Sequence, residues 1–264
     1  MYSFVGMNNL KITLIQSQQH WENPEANRHM FSEKIATISE NTDVIILPEM
    51  FTTGFTMNAA NLAEPMNGPT LIWMQEQSVK TGAAIVGSLI IKEAGNFYNR
   101  LLWVEGTSTL YYYDKRHTFT LAGEDRFYAS GDKKLILDFK GWKICPFICY
   151  DLRFPVWARN TEDYDVLLYV ANWPEKRIAA WDALLKARAI ENMAYCVGVN
   201  RVGLDGSGHQ YIGHSAVYDV LGNVISSKDF EKEFVETITL SKEHIEENRN
   251  YLGFLKDRDS FTLQ

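Results

Sequence analysis

Three stretches constrain this chain more than any other feature. Asp43 to Leu47, Trp142 to Ile148 and Val166 to Val170 are short and almost continuously apolar, without the alternation of a strand that keeps one wet face. Runs of this length read as interior strands buried on both faces. A sheet buried on both faces needs another layer over each. Each run is also followed directly by residues able to do chemistry: Pro48-Glu49, Cys149-Tyr150-Asp151 and Ala171-Asn172-Trp173. Ligands in α/β folds gather at the carboxyl ends of strands. Three segments distant in sequence are therefore expected to converge on one pocket.

Around these runs, strand-like and helix-like segments interleave. Leu10 to Gln16 alternates as a strand does. Asn23-Pro24-Glu25 predicts an N-cap with proline at the first helical position, and Phe31, Ile35 and Ile38 share one face of the helix that follows. The segment up to Leu47 is thus a β-α-β unit. A second helix is predicted after Gly68-Pro69, closing at Gly82. Ala84 to Ile91 and Tyr98 to Glu105 form a hairpin around Glu93-Ala94-Gly95-Asn96, with another strand at Thr109 to Tyr113. Ala179 to Tyr195 is helical by its Ala, Leu, Arg and Glu content. The C-terminal third returns to strands, with a turn at Leu221-Gly222-Asn223. The pattern predicts an α/β fold with more than one sheet or a large mixed sheet. No linker or repeat divides residues 1–264, so a single domain is expected.

Composition excludes several function classes. Hydrophobic residues make up 46% of 264 residues, enough to fill a sizeable core. The net charge of −7, with no basic stripe, argues against nucleic acid as a partner. The three cysteines, Cys145, Cys149 and Cys196, are odd in number and irregularly spaced, which favours a reducing compartment and a cytoplasmic protein. Met1 to Leu10 lacks the pattern of a secretory signal. The longest apolar run, Ala83 to Ile91, is far short of the ~20 residues that span a membrane. The Cys145-x-x-x-Cys149 spacing is not a zinc pair, the six histidines share no ligand spacing, and no phosphate-cradling glycine loop is present. Neither a metal nor a cofactor is expected.

The candidate chemistry lies in polar residues after strands. Cys149, beside Asp151 and Arg153, is placed for a nucleophile, although a free cysteine is more often core packing. Cys145 and Cys196 read as packing. Glu49, directly after a buried strand and a proline, is poorly placed for solvation and suits a general base; the alternative is a solvated loop acid. Lys115, in Tyr113-Asp114-Lys115-Arg116-His117, reads either as part of a solvated basic patch or as a fixed cation for an oxyanion. Glu124 carries the same ambiguity. A cysteine–histidine pair using His117 or His214 is a rival arrangement, and a binding module without catalysis is another.

Taken together, Leu47-Pro48-Glu49-Met50-Phe51, Tyr113-Asp114-Lys115-Arg116-His117 and Cys149-Tyr150-Asp151-Leu152-Arg153-Phe154-Pro155 resemble the glutamate, lysine and cysteine motifs of the nitrilase superfamily, in that order. The resemblance runs from about Leu10 to Asp257. Downstream, Val170-Ala171-Asn172-Trp173-Pro174, Ala187-Arg188-Ala189-Ile190-Glu191-Asn192 and Asn200-Arg201-Val202-Gly203 are similar to the bacterial ω-amidase branch. The resemblance implies a four-layer α-β-β-α sandwich, a homodimer through the outer helices, and no cofactor. It implies Cys149 as nucleophile, Glu49 as base, Lys115 as oxyanion stabiliser and Glu124 in support, with a small amide as substrate. The Tyr150 backbone N–H would assist the oxyanion and Trp173 would line the pocket. Arg153 would bind a substrate carboxylate or form a structural ion pair, and Lys176 and Arg177 are the other nearby cations. Within the superfamily, a carbamoyl-amine or aliphatic amidase is the alternative to an ω-amidase.

Overall fold

A computed structural model describes residues 9–227 and 231–263, so Met1 to Met7 lie outside the described residues. β1 (Leu10–Gln16) leads into α1 (Pro24–Ala36), where the Asn23 side chain accepts from the Ala26 N–H and Pro24 takes the first turn. β2 (Val44–Ile46), the one-turn α2 (Ala59–Leu62) and α3 (Pro69–Thr81) follow. Gly82 ends α3 at a φ of 71°, a left-handed cap that glycine adopts without a Cβ penalty. β3 (Ala84–Glu93) and β4 (Asn96–Glu105) form a hairpin closed by Ala94 and Gly95, both at positive φ, and β5 (Thr109–Asp114) continues the meander. Next come β6 (Leu137–Phe139), β7 (Trp142–Ile148), the short α4 (Pro155–Ala158), β8 (Val166–Val170), α5 (Ile178–Asn192) and β9 (Tyr195–Val199). The remainder is β10 (Val202–Leu204), β11 (Gln210–Ile212), β12 (Ala216–Tyr218), β13 (Phe234–Leu240) and α6 (Lys242–Leu252).

The strands assemble into a six-stranded sheet, β13-β1-β2-β3-β4-β5, and a five-stranded sheet, β12-β9-β8-β7-β6, with β10 and β11 as a separate ribbon. The apolar runs are the parallel interiors: β1, β2 and β3 in one sheet, β7, β8 and β9 in the other. Side-chain parity explains why these runs do not alternate. Ile12, Leu14, Val44, Ile46 and Val86 point into the core between the sheets. Ile15, Ile45, Leu47 and Ile85 point the other way, against Phe31 and Ile35 of α1 and Trp73 and Met74 of α3. Edge-on ring contacts bridge the sheets, Trp103 to Phe139 at 5.2 Å and Tyr113 to Phe147 at 5.4 Å. α5 covers the outer face of the five-stranded sheet and approaches β9 so closely that a Cβ at Gly198 would stand 2.5 Å from Leu185 Cδ1. The layers are α-β-β-α, as the family resemblance implies.

Two expectations are corrected. The helix expected to reach Tyr195 stops at Asn192: Met193 turns left-handed as its cap, and Tyr195 already pairs with β8, which places Cys196 inside β9. The C-terminal third is not all strand, because α6 follows Ser241, whose side chain caps it by accepting from the His244 N–H. Its apolar signal is weak because Ile245 is its one buried residue. Among the described residues, no helix is long and apolar enough to cross a membrane.

Candidate active site

The loops after β2, β7 and β8 open at the same end of the sandwich. Two non-glycine residues there are forced into left-handed backbone, Met50 at φ 41° directly after Glu49, and Cys149 itself at φ 45°. Such conformations cost free energy for residues with a Cβ and collect at functional sites. The Met50 turn is held by its N–H donating to Ser88 Oγ at 2.9 Å. The Cys149 turn is held by Asp151, whose carboxylate accepts from the Ile148 N–H at 3.1 Å, the Tyr113 hydroxyl at 2.8 Å and the His117 N–H at 3.0 Å. Asp151 thereby ties the segment around Cys149 to the segment that carries Lys115.

Lys115 is the hub of a buried charge cluster. Its Nζ donates to Glu49 Oε1 at 2.8 Å and to Glu124 Oε1 and Oε2 at 3.0 and 2.9 Å. Asn99 Nδ2 donates to Glu49 Oε1 at 2.8 Å and reaches Glu124 Oε1 at 3.3 Å, and the Phe119 N–H donates to Glu124 Oε2 at 2.5 Å. Glu49 and Glu124 are 0% exposed and Lys115 is 1% exposed. Burial works against the Lys115 ammonium, but the Glu124 and Glu49 carboxylates outweigh it and hold the group protonated. Burial pushes the Glu124 carboxyl up, with Lys115 opposing.

Cys149 sits beside this cluster, its Sγ 3.9 Å from the Asn172 carbonyl. Burial pushes the thiol well up, the Glu49 carboxylate pushes the same way, and Lys115 pulls against them. Asn172 fixes the base relative to the nucleophile. Its backbone N–H donates to Glu49 Oε2 at 2.8 Å, and its side-chain amide donates to the Glu49 carbonyl at 2.5 Å.

A cavity of about 450 Å³ opens over Cys149 and Lys115, with Tyr150, Arg153, Trp173 and Arg177 in its walls. That volume suits a small molecule. Glu49 and Glu124 stand behind the lining, Glu49 against both Lys115 and Cys149 and Glu124 against Lys115. Arg153 has no acidic partner among the described residues; its guanidinium lies over the Trp173 ring, 4.8 Å from the centroid. Lys176 is exposed and lies outside the cavity lining. The histidines of the rival arrangement are engaged elsewhere: His117 Nδ1 is 2.7 Å from Asp151 Oδ1, and His214 Nδ1 is 3.0 Å from Asp182. Among the described residues, no group of three or more His, Cys, Asp or Glu side chains is arranged to hold a metal ion.

Sequence reasoning missed Asn99, whose only signal is an amide beside Arg100 within a strand. It also missed Phe119 and the β10–β11 turn, which supplies a further wall through Asp205, Ser207, His209 and Tyr211.

Comparison with known proteins identifies the family. Residues 11–250 match the family model described as carbon-nitrogen hydrolase. "Omega-amidase YafV" of Yersinia enterocolitica is 44% identical over 257 residues, covering 97% of this chain and 100% of that protein. "2-oxoglutaramate amidase" of Bacillus subtilis is 31% identical over 220 residues, covering 81% of this chain and 85% of that one. The crystal structure of XC1258 from Xanthomonas campestris, described as a CN-hydrolase superfamily protein with an arsenic adduct in the active site, superposes with a TM-score of 0.95 at 43% identity, covering 98% of this chain and 100% of that one. With the family model covering most of the chain, this chain belongs to the carbon–nitrogen hydrolase family.

Proposed function

We propose that this enzyme is a cysteine-dependent ω-amidase, hydrolysing α-keto acid ω-amides such as α-ketoglutaramate or α-ketosuccinamate to the dicarboxylic acid and ammonia. The observation that carries the catalytic part is the buried Glu49–Lys115–Glu124 cluster against Cys149 at the floor of the cavity. The substrate class draws on the names of the relatives.

Burial and the neighbouring Glu49 carboxylate both oppose a resting thiolate. The thiol therefore stays protonated until the amide arrives. Glu49 then takes the proton as Sγ attacks the carbonyl carbon. The oxyanion forms against the Lys115 ammonium and the Tyr150 backbone N–H. Collapse breaks the C–N bond, the nitrogen leaves with the proton from Glu49, and a thioester remains on Cys149. Glu49 next deprotonates water, which attacks the thioester; collapse releases the acid, and the sulfur recovers its proton from Glu49. Glu124 holds Lys115 in position, while Trp173 and Arg153 receive the chain and carboxylate of the substrate.

Ammonia release from a panel of small amides, with Cys149→Ala as blank, tests this. The ω-amidase reading fails if neutral aliphatic amides or carbamoyl amines give higher kcat/KM than α-ketoglutaramate. Absence of ammonia release from every amide would return the chain to a silent binding module. Homodimerisation is part of the same proposal. The exposed Val156 of α4 and Ile190 of α5 offer apolar surface on an outer layer, and a monomeric mass in solution would refute it.

A further inference from the structure

Besides Lys115, the cavity carries two cations that take no part in bond making or breaking. Arg153 and Arg177 are half-buried, both line the cavity with Cys149, and neither has an acidic partner among the described residues. Trp173 joins them: the Arg153 guanidinium lies over its ring, and its indole N–H donates to the Arg177 carbonyl at 2.8 Å. The Arg177 guanidinium lies over Phe119, 5.1 Å from the ring centroid. Phe119 is itself fixed to the charge cluster, because its N–H bonds Glu124. Arg177 is therefore registered against Lys115 through one ring and one backbone hydrogen bond.

An aromatic face orients a guanidinium without neutralising it. The acid on another wall, Asp205, does not neutralise it either. It already faces a cation of its own, the buried Arg201 guanidinium, and its carboxylate accepts from the Ser207 and His209 N–H groups and the Tyr211 hydroxyl, with His209 Nδ1 3.2 Å away. The unspent charge of the cavity is positive and lies on two planar forks.

We propose that Arg177, acting with Arg153, binds the carboxylate at the end of the substrate remote from the amide, and that Arg177 is the specificity-determining residue for ω-amides with an anionic far end. The assignment rests on the ω-amidase reading. An α-keto acid offers a planar carboxylate with an adjacent carbonyl oxygen, three acceptors that two forks can share. An α-ammonium group in place of the keto oxygen would face these cations with no free carboxylate to receive it.

The test compares Arg177→Met and Arg177→Lys on two substrates, α-ketoglutaramate and the neutral pentanamide. It also measures α-ketoglutarate binding to Cys149→Ala, with and without Arg177→Met, by calorimetry. Arg177→Met should lower the ratio of kcat/KM for α-ketoglutaramate over pentanamide by roughly 10–100-fold, the range of a charge-assisted hydrogen bond, mostly through KM. Arg177→Lys, which keeps the charge and loses the fork, should fall between. The Kd for α-ketoglutarate should rise by a similar factor. Equal losses on both substrates would make Arg177 a structural residue, and an unmoved ratio with an unmoved Kd would leave it a solvated one; either overturns the assignment. A wild-type preference for pentanamide, with Kd still raised by Arg177→Met, refutes the ω-amidase reading and keeps the anion site.

Discussion

Lys115→Met isolates the electrostatics of the site from its packing. Methionine refills the channel of the lysine stem, but the ammonium that bonds Glu49 at 2.8 Å and Glu124 at 2.9 and 3.0 Å is lost. Two carboxylates with no exposure then face each other without a cation. Breaking a buried ion network by removing one partner costs about 3–5 kcal/mol. At about 2–4 °C per kcal/mol for a chain of this size, Tm should fall by roughly 6–20 °C near neutral to mildly alkaline pH. The pH dependence has a definite sign. The Glu124 carboxyl is already raised by burial, and Lys115 is the group pulling it down. Without Lys115 it rises further. A carboxyl raised in the folded state contributes its stability below its unfolded value and loses it as pH rises through the folded one. The deficit of Lys115→Met should therefore shrink on acidification from about pH 8 to about pH 5.5, and a second substitution, Glu124→Gln, should recover part of it at the higher pH. Scanning fluorimetry at both pH values reads this directly. A Tm loss independent of pH, or no loss, refutes the buried-charge account.

Other substitutions probe the remaining parts. Cys149→Ser should abolish turnover while Tm stays close to wild type, whereas Cys196→Ala, inside β9, should keep most of the turnover; a few per cent residual activity in Cys149→Ser would end the nucleophile assignment. Glu49→Gln and Lys115→Ala should each cost at least ~10²–10³ in kcat, and the double variant should lose far less than the product of the two, since the residues act as one unit; multiplicative losses would argue for independent roles. Gly198→Ala forces a methyl to within 2.5 Å of Leu185 and 2.7 Å of Trp181, so α5 must lift and stability should drop by about 1–3 kcal/mol, read from urea midpoints; an unchanged midpoint would mean that the α5–β9 contact is loose.

The central strands were legible because both of their faces are apolar, and a run so short and so continuous fits a strand covered on both sides better than a wet-faced strand or a surface helix. The helix ends were legible where local chemistry is strong, as at Asn23-Pro24 and Gly82. The end of α5 was not, because Met193 takes a left-handed cap that its side chain does not advertise. α6 was missed because a helix burying little beyond Ile245 leaves almost no apolar stripe. At the site, Glu49, Cys149 and Asn172 stood out by their place after strands, and Lys115 and Glu124 gained their meaning from the family motifs. Asn99 was invisible because its role exists only once β4 brings it between two carboxylates from other parts of the chain. Arg177 stayed undecided against Lys176 because neighbours in sequence differ in which way the chain turns them; one lines the cavity and the other faces solvent.

The position of Asn172 has a mechanical consequence. Glu49 and Lys115 follow strands of the six-stranded sheet, while Cys149 and Asn172 follow strands of the five-stranded one. The bonds from Asn172 to Glu49 thus cross from one sheet to the other, as does the Tyr113–Asp151 bond. The site is a vernier on the sandwich: a slip of one sheet past the other by a fraction of an ångström displaces base from nucleophile while every strand remains paired within its own sheet. Catalysis should therefore fade on heating before the secondary structure does, making turnover a finer gauge of sheet alignment than any spectrum of the backbone.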